Sequence, residues 1–151
     1  MTATTLRYGA TIPTPRDEAF RFVSDPTTWP RFFVGIESTE SGDGWGCAGG
    51  QGRMTTRFLG RSVMSTMDVT GWDPARSFRY TARQTGRPDL DNLRVFEPVA
   101  GAARLCGTTV LEIRPGPRGL IDRVSARVLQ RVHDRAMVRL AGIVAESEVA
   151  P

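Results

Sequence analysis

The sequence contains no lysine; all 20 of its basic residues are arginine. Among 151 residues it has a single histidine, His133, and two cysteines, Cys47 and Cys106. Two isolated thiols give neither a disulfide framework nor zinc-ligand spacing, and they read as reduced groups in a cytoplasm. No apolar run approaches the ~18 residues that a membrane span needs. The first residues, Met1-Thr2-Ala3-Thr4-Thr5, carry no basic region followed by an apolar stretch, so no secretory leader is expected. Disulfide-stapled, zinc-finger, transmembrane and repeat architectures are thereby set aside. Nothing in the chain calls for a metal or a cofactor.

What remains is an ordinary globular composition, 40% hydrophobic and 24% charged, at a length that fits one domain over residues 1–151. The net charge of +4 is the small difference between 20 arginines and 16 carboxylates. Exclusive use of arginine has two readings. One is a coding bias; the other is recognition of phosphate or carboxylate by planar guanidinium groups.

Thr4 to Ile12 alternates, with Leu6, Tyr8, Ala10 and Ile12 on one face, and predicts a strand. Pro13-Thr14-Pro15 breaks it, and Thr14 is placed to cap a short helix with Asp17 and Glu18 near its positive end. A second short helical turn is expected around Thr27–Phe33. From Gly35 onward, glycine and proline punctuate alternating or β-branched segments. These predict strands at Ile36–Ser41, Gly52–Phe58, Ser62–Thr70, Ser77–Thr85, Asn92–Val99 and Arg104–Arg114. The connections, Leu59–Arg61 among them, are short enough for antiparallel hairpins. Leu120–Ala145 predicts one long helix, with Ile121, Val124, Val128, Val132, Ala136, Leu140 and Ile143 at the spacing of a buried face. Only that helix is long enough to cover one face of the sheet, so the class is α+β.

Several segments carry a resemblance. They are Pro13-Thr14-Pro15 through Ala19-Phe20-Arg21-Phe22-Val23, then Ser24-Asp25-Pro26-Thr27-Thr28-Trp29-Pro30. Asp68-Val69-Thr70-Gly71-Trp72-Asp73-Pro74 and Phe96-Glu97-Pro98-Val99-Ala100-Gly101 complete the set. Over nearly its whole length the chain resembles the START-like, helix-grip (SRPBCC) superfamily, in its polyketide cyclase/dehydrase branch. The resemblance implies a seven-stranded antiparallel sheet wrapped around a long C-terminal helix, with two short helices after the first strand. It also implies a cavity between sheet and helix for a lipid-, aromatic- or polyketide-like molecule. The matching motifs specify fold and say almost nothing about chemistry.

With the family's inward positions setting the phase, Met54, Thr56, Phe58, Val63, Ser65, Met67, Val69, Phe78, Tyr80, Ala82 and Gln84 face the helix. The last strands add Asn92, Arg94, Phe96, Leu105, Thr109, Leu111 and Ile113. From this set the candidate ligand contacts are Met54, Phe58, Ser65, Met67, Phe78, Tyr80, Gln84, Arg94, Phe96 and Thr109, with Leu129, Val132, His133 and Ala136 from the helix. Taken singly, each of these residues reads first as plain core, and only the resemblance turns the set into a cavity lining. No carboxylate falls on the inward phase, so the candidate catalytic groups are Tyr80, Arg94 and His133. His133 is expected to titrate near neutrality and to serve as a proton shuttle.

Gly44-Trp45-Gly46-Cys47-Ala48-Gly49 matches GxGxxG, but a strand follows it where a dinucleotide site needs a helix N-terminus. It reads instead as a flexible hairpin bordering the pocket mouth. Arg123, Arg127, Arg131, Arg135 and Arg139 recur at every fourth position of the last helix. They make either a solvated outer face or a docking face for an acidic partner, carrier protein or anionic lipid. Nucleic acid is disfavoured because no aromatic residues interleave the stripe. The functional expectation is binding of a hydrophobic small molecule, with a polyketide aromatase/cyclase as the alternative. A carrier should show scattered polar groups in its pocket, an enzyme a cluster at one depth.

Overall fold

Seven alternating segments pair in the order β1-β7-β6-β5-β4-β3-β2, every neighbour antiparallel. They are β1 (Thr2–Ile12), β2 (Ile36–Ser41), β3 (Gln51–Phe58), β4 (Arg61–Asp73), β5 (Ser77–Arg83), β6 (Leu90–Val99) and β7 (Ala102–Ile113). The computed structural model describes residues 2–58 and 60–149, with side chains described to residue 146. Leu59, in the predicted connection Leu59–Arg61, lies outside the described residues. Strand existence and phase follow the sequence. Phe78, Tyr80 and Ala82 are buried, as are Asn92, Arg94 and Phe96, each between less buried neighbours. The sheet bends at irregularities between Ile36 and Ser38 and between Val69 and Gly71.

β5 stops at Arg83, short of the expected Thr85, which leaves Gln84 in the turn with its Nε2 donating to Ser65 Oγ at 2.9 Å. Helix α1 (Arg16–Ser24) begins without a side-chain cap. Thr14 does not cap it; its hydroxyl donates to Glu18 Oε2 at 2.7 Å. Asp25 caps the following 3-10 helix, Pro26–Arg31, accepting from the backbone N–H of Thr27 at 3.0 Å. These short elements deliver Phe20, Trp29 and Phe32 to the concave face. Phe20 meets Trp72, Phe78 and Phe96 edge-on, and each large apolar side chain buried there contributes ~1.5–3 kcal/mol.

The terminal helix α2 spans Pro117–Val149, three residues earlier than expected, because Pro117 suits a first helical turn. Its rotation corrects part of the predicted apolar face. Ile121 is 59% and Val124 47% exposed, Val128 and Val132 are half-buried, and the inward residues are Asp122, Ala126, His133, Ala136, Met137, Leu140 and Val144. The cause is polar. Asp122 accepts from the Arg114 N–H and Nε at 2.9 Å and from Nη2 at 2.7 Å, and this clamp turns the first turns of α2 away from the phase that hydrophobicity alone prefers. The Arg114 hydrogen bonds hold the Asp122 carboxyl below its ordinary value of 3.8.

The contacts of α2 fall into two clusters. Ala136, Met137, Leu140 and Val144 join the large core with Phe20, Phe78 and Phe96. Ala126 joins a separate small cluster with Leu6, Leu111 and Ile113. Arg123, Arg127, Arg131, Arg135 and Arg139 all face outward.

Candidate functional site

Beneath the first half of α2 the sheet and helix separate around a cavity of about 410 Å³. Its exposed rim includes Val34, Arg57, Arg118 and Ile121. Trp29, Phe33, Met54, Leu111, Leu129 and Val132 contribute apolar wall, and Tyr80, Asn92, Arg94 and His133 supply buried polar groups.

Tyr80, Arg94 and His133, placed together by strand phase and a helical wheel, do share this cavity. Met54, Phe58, Gln84, Leu129 and Val132 line it as well. The other candidate contacts lie away from its wall. Met67, Phe78, Phe96 and Ala136 are packed into the large core, where α1 and the 3-10 helix plug that end of the groove. Ser65 is fully buried against Gln84, and Thr109 is held in a hydrogen-bond chain. The GxGxxG segment forms the β2–β3 connection and is not at the mouth: Trp45 Nε1 donates to Ser24 O at 2.8 Å, and Gly49 N–H donates to Val69 O at 2.9 Å.

The polar groups are organised by a residue that the sequence placed on the inward face of β1 without assigning it a role. Tyr8 lies opposite Gly107, whose missing side chain lets the phenol ring lie flat across β7; a Cβ there would meet Tyr8 Cδ2 and Cζ at 2.7 Å. The ring stacks on His133 with centroids 4.1 Å apart and 3° between planes. Its hydroxyl donates to Thr109 Oγ1 at 2.9 Å, and Thr109 donates to Asn92 Oδ1 at 2.7 Å. Arg94, only 3% exposed, sits with its Cζ 5.0 Å from the Tyr8 centroid and 5.7 Å from that of Tyr80. Its Nη2 donates to Tyr80 Oη at 3.4 Å.

Burial raises the pKa of both tyrosines, and the Arg94 charge opposes that rise. His133 departs from the expected titration. Desolvation first and the Arg94 charge second push it well below the ordinary 6.5, so the imidazole is neutral at neutral pH. Asp122 lines the cavity but is engaged by Arg114, leaving His133 as the group able to take up a proton. Among the described residues no group of three or more His, Cys, Asp or Glu could hold a metal ion.

A family model described as polyketide cyclase / dehydrase and lipid transport matches residues 3–145. The chain belongs to this family. Several solved structures share its fold. TTHA0849 from Thermus thermophilus superposes with a TM-score of 0.77 at 19% identity, over 95% of this chain and 99% of that one. The ZhuI aromatase/cyclase from Streptomyces sp. R1128 gives 0.75 at 19% identity, over 97% and 94%. A START superfamily protein from Mycobacterium smegmatis gives 0.72 at 15%, over 95% and 98%. No curated protein matches the sequence.

Within this polyketide cyclase/dehydrase-family chain, sequence reasoning missed Trp29, Phe33 and Arg118 as cavity residues and Tyr8 as the ring stacked on His133. Alternation within the strands carries no information about the first two, because they come from the turns after β1. No helix of the described residues is long and apolar enough to cross a membrane.

Proposed function

We propose that the protein binds a hydrophobic small molecule, aromatic or polyketide-like, in the cavity between its sheet and α2. The observation that carries this reading is the cavity itself. About 410 Å³ lies open beside aromatic and aliphatic walls in a domain whose other end is tightly packed. That volume is at the lower end of the ~300–1,000 Å³ of small-molecule sites, so it suits one or two fused rings better than a long lipid chain.

The test is binding of an environment-sensitive apolar dye and a panel of aromatic polyphenols, read by fluorescence and melting temperature. Binding in the low-micromolar to millimolar range is expected. It should be lost in Leu129→Trp, whose ring would occupy the cavity. Failure of the whole panel on the folded wild type would refute the reading.

One observation favours a second reading, an aromatase/cyclase: Tyr80, Arg94 and His133 converge on one cavity instead of scattering through it. On a poly-β-carbonyl chain, loss of an α-proton to the neutral His133 would leave an enolate. Arg94 and the Tyr80 hydroxyl are the donors that would stabilise its oxygen. The enolate carbon would attack a second carbonyl, the new alkoxide would take up a proton, and loss of water would follow. Tyr80→Phe and His133→Ala would then lower turnover about tenfold or more, as expected for lost acid–base or oxyanion groups. Identical product profiles with and without the protein would end this second reading.

A further inference from the structure

Arg94 is a cation without a counter-ion. Only 3% of it meets solvent, yet no ion pair among the described residues involves it. Its Nη1 is buried with no hydrogen-bond partner, and its Nη2 has only the long 3.4 Å contact to Tyr80 Oη. The flanking tyrosine faces offset part of the lost hydration, but they do not supply acceptors for the free N–H groups. Buried guanidinium groups are ordinarily paired with an acid, and a missing partner is the feature that needs a cause.

Neighbouring groups are already committed. Asn92 Oδ1 accepts from Thr109, and its Nδ2 donates to Leu90 O at 3.1 Å. Asp122, the one acid on the cavity wall among the described residues, gives both carboxylate oxygens to Arg114. The rim adds Arg57, Arg87 and Arg118, so the positive potential runs from mouth to interior with no unengaged carboxylate along it among the described residues.

We infer that the cavity takes an apolar carboxylic acid, bound as the anion, with its carboxylate on the free edge of Arg94 and its ring or short chain against Trp29, Phe33 and Leu129. This rests on the reading that the cavity is a ligand site, and it adds the charge and class of the ligand. A planar carboxylate matches the guanidinium fork, while a doubly charged phosphate would leave one charge uncompensated against apolar walls.

The experiment compares 2-naphthoic acid, methyl 2-naphthoate and 2-naphthylmethanol by calorimetry at neutral pH and ~0.15 M salt. Wild type should bind the acid at least about tenfold more tightly than the alcohol, the scale of a charge-assisted hydrogen bond in a desolvated site. Arg94→Met should erase that preference by weakening binding of the acid, and should melt no lower than wild type. Equal wild-type affinity for acid and alcohol overturns the inference and leaves the ligand-site reading standing. So does a preference that survives in Arg94→Met. The wild-type comparison decides the matter even if the variant does not fold. Absence of binding by all three compounds overturns both readings.

Discussion

Replacing His133 with phenylalanine keeps a ring stacked on Tyr8 and removes the chain's one imidazole. In the native state burial and the Arg94 charge hold that imidazole neutral well below 6.5, whereas the unfolded chain takes up a proton near 6.5. Below that value the unfolded state therefore binds more protons than the native state. Stability is full above it and falls as pH drops toward the folded-state pKa. Between about pH 7.5 and about pH 5.5 the loss is on the order of 1 kcal/mol, or a few degrees of melting temperature for a domain of this length. Tyr8 and Tyr80 titrate above this window and Asp122 below it, so His133 dominates the slope. The larger phenyl ring adds a fixed overpacking cost, about 1–3 kcal/mol, that does not depend on pH. The assay is thermal melting of both proteins across the window, and the slope is what counts. Parallel profiles for wild type and His133→Phe would mean that His133 protonates freely in the folded state, and the account of its environment would fail.

Gly107→Ala should displace the Tyr8 ring, because the new Cβ would lie 2.7 Å from two of its carbons. A loss of about 1–3 kcal/mol in urea unfolding is expected, together with altered near-ultraviolet dichroism from the tyrosines; an unchanged midpoint would contradict the ring's position. Changing Arg127, Arg131 and Arg135 together to Gln should leave the midpoint nearly unchanged or slightly raised, since all three face solvent and repel one another. If the same variant loses binding to anionic vesicles, the stripe is an interaction face; a large loss of stability would instead show that these side chains have internal partners.

Strand phase was readable because it depends only on a period of two. Tyr80 and Arg94 could therefore be placed on one face without knowing how far along the groove each one sat. Depth was not readable. Phe78 and Phe96 share the phase of Tyr80 and Arg94, yet they are core because Phe20 arrives from α1 and closes that end. The rotation of α2 escaped a hydrophobic wheel for a different reason. Asp122, a carboxylate that no hydrophobic wheel turns inward, is 2% exposed because Arg114 satisfies it with three hydrogen bonds. His133 lines the cavity. Its neutrality follows first from burial and second from the charge of Arg94, 39 residues away in sequence counting from Arg94 to His133, and only strand pairing and helix docking bring the two together.

The two apolar clusters under α2 make this helix unequal along its length. Its second half is held by the large core, so its amides should open only when the whole domain opens. Its first half rests on the small cluster and the Arg114 clamp, with the cavity between them and the large core, so it can fray in a smaller event that leaves the sheet intact. A molecule filling the cavity would bridge the two clusters and merge these events into one. Occupancy would then register as slower exchange in the first turns of α2, a mechanical lock set by a guest as much as by the sequence.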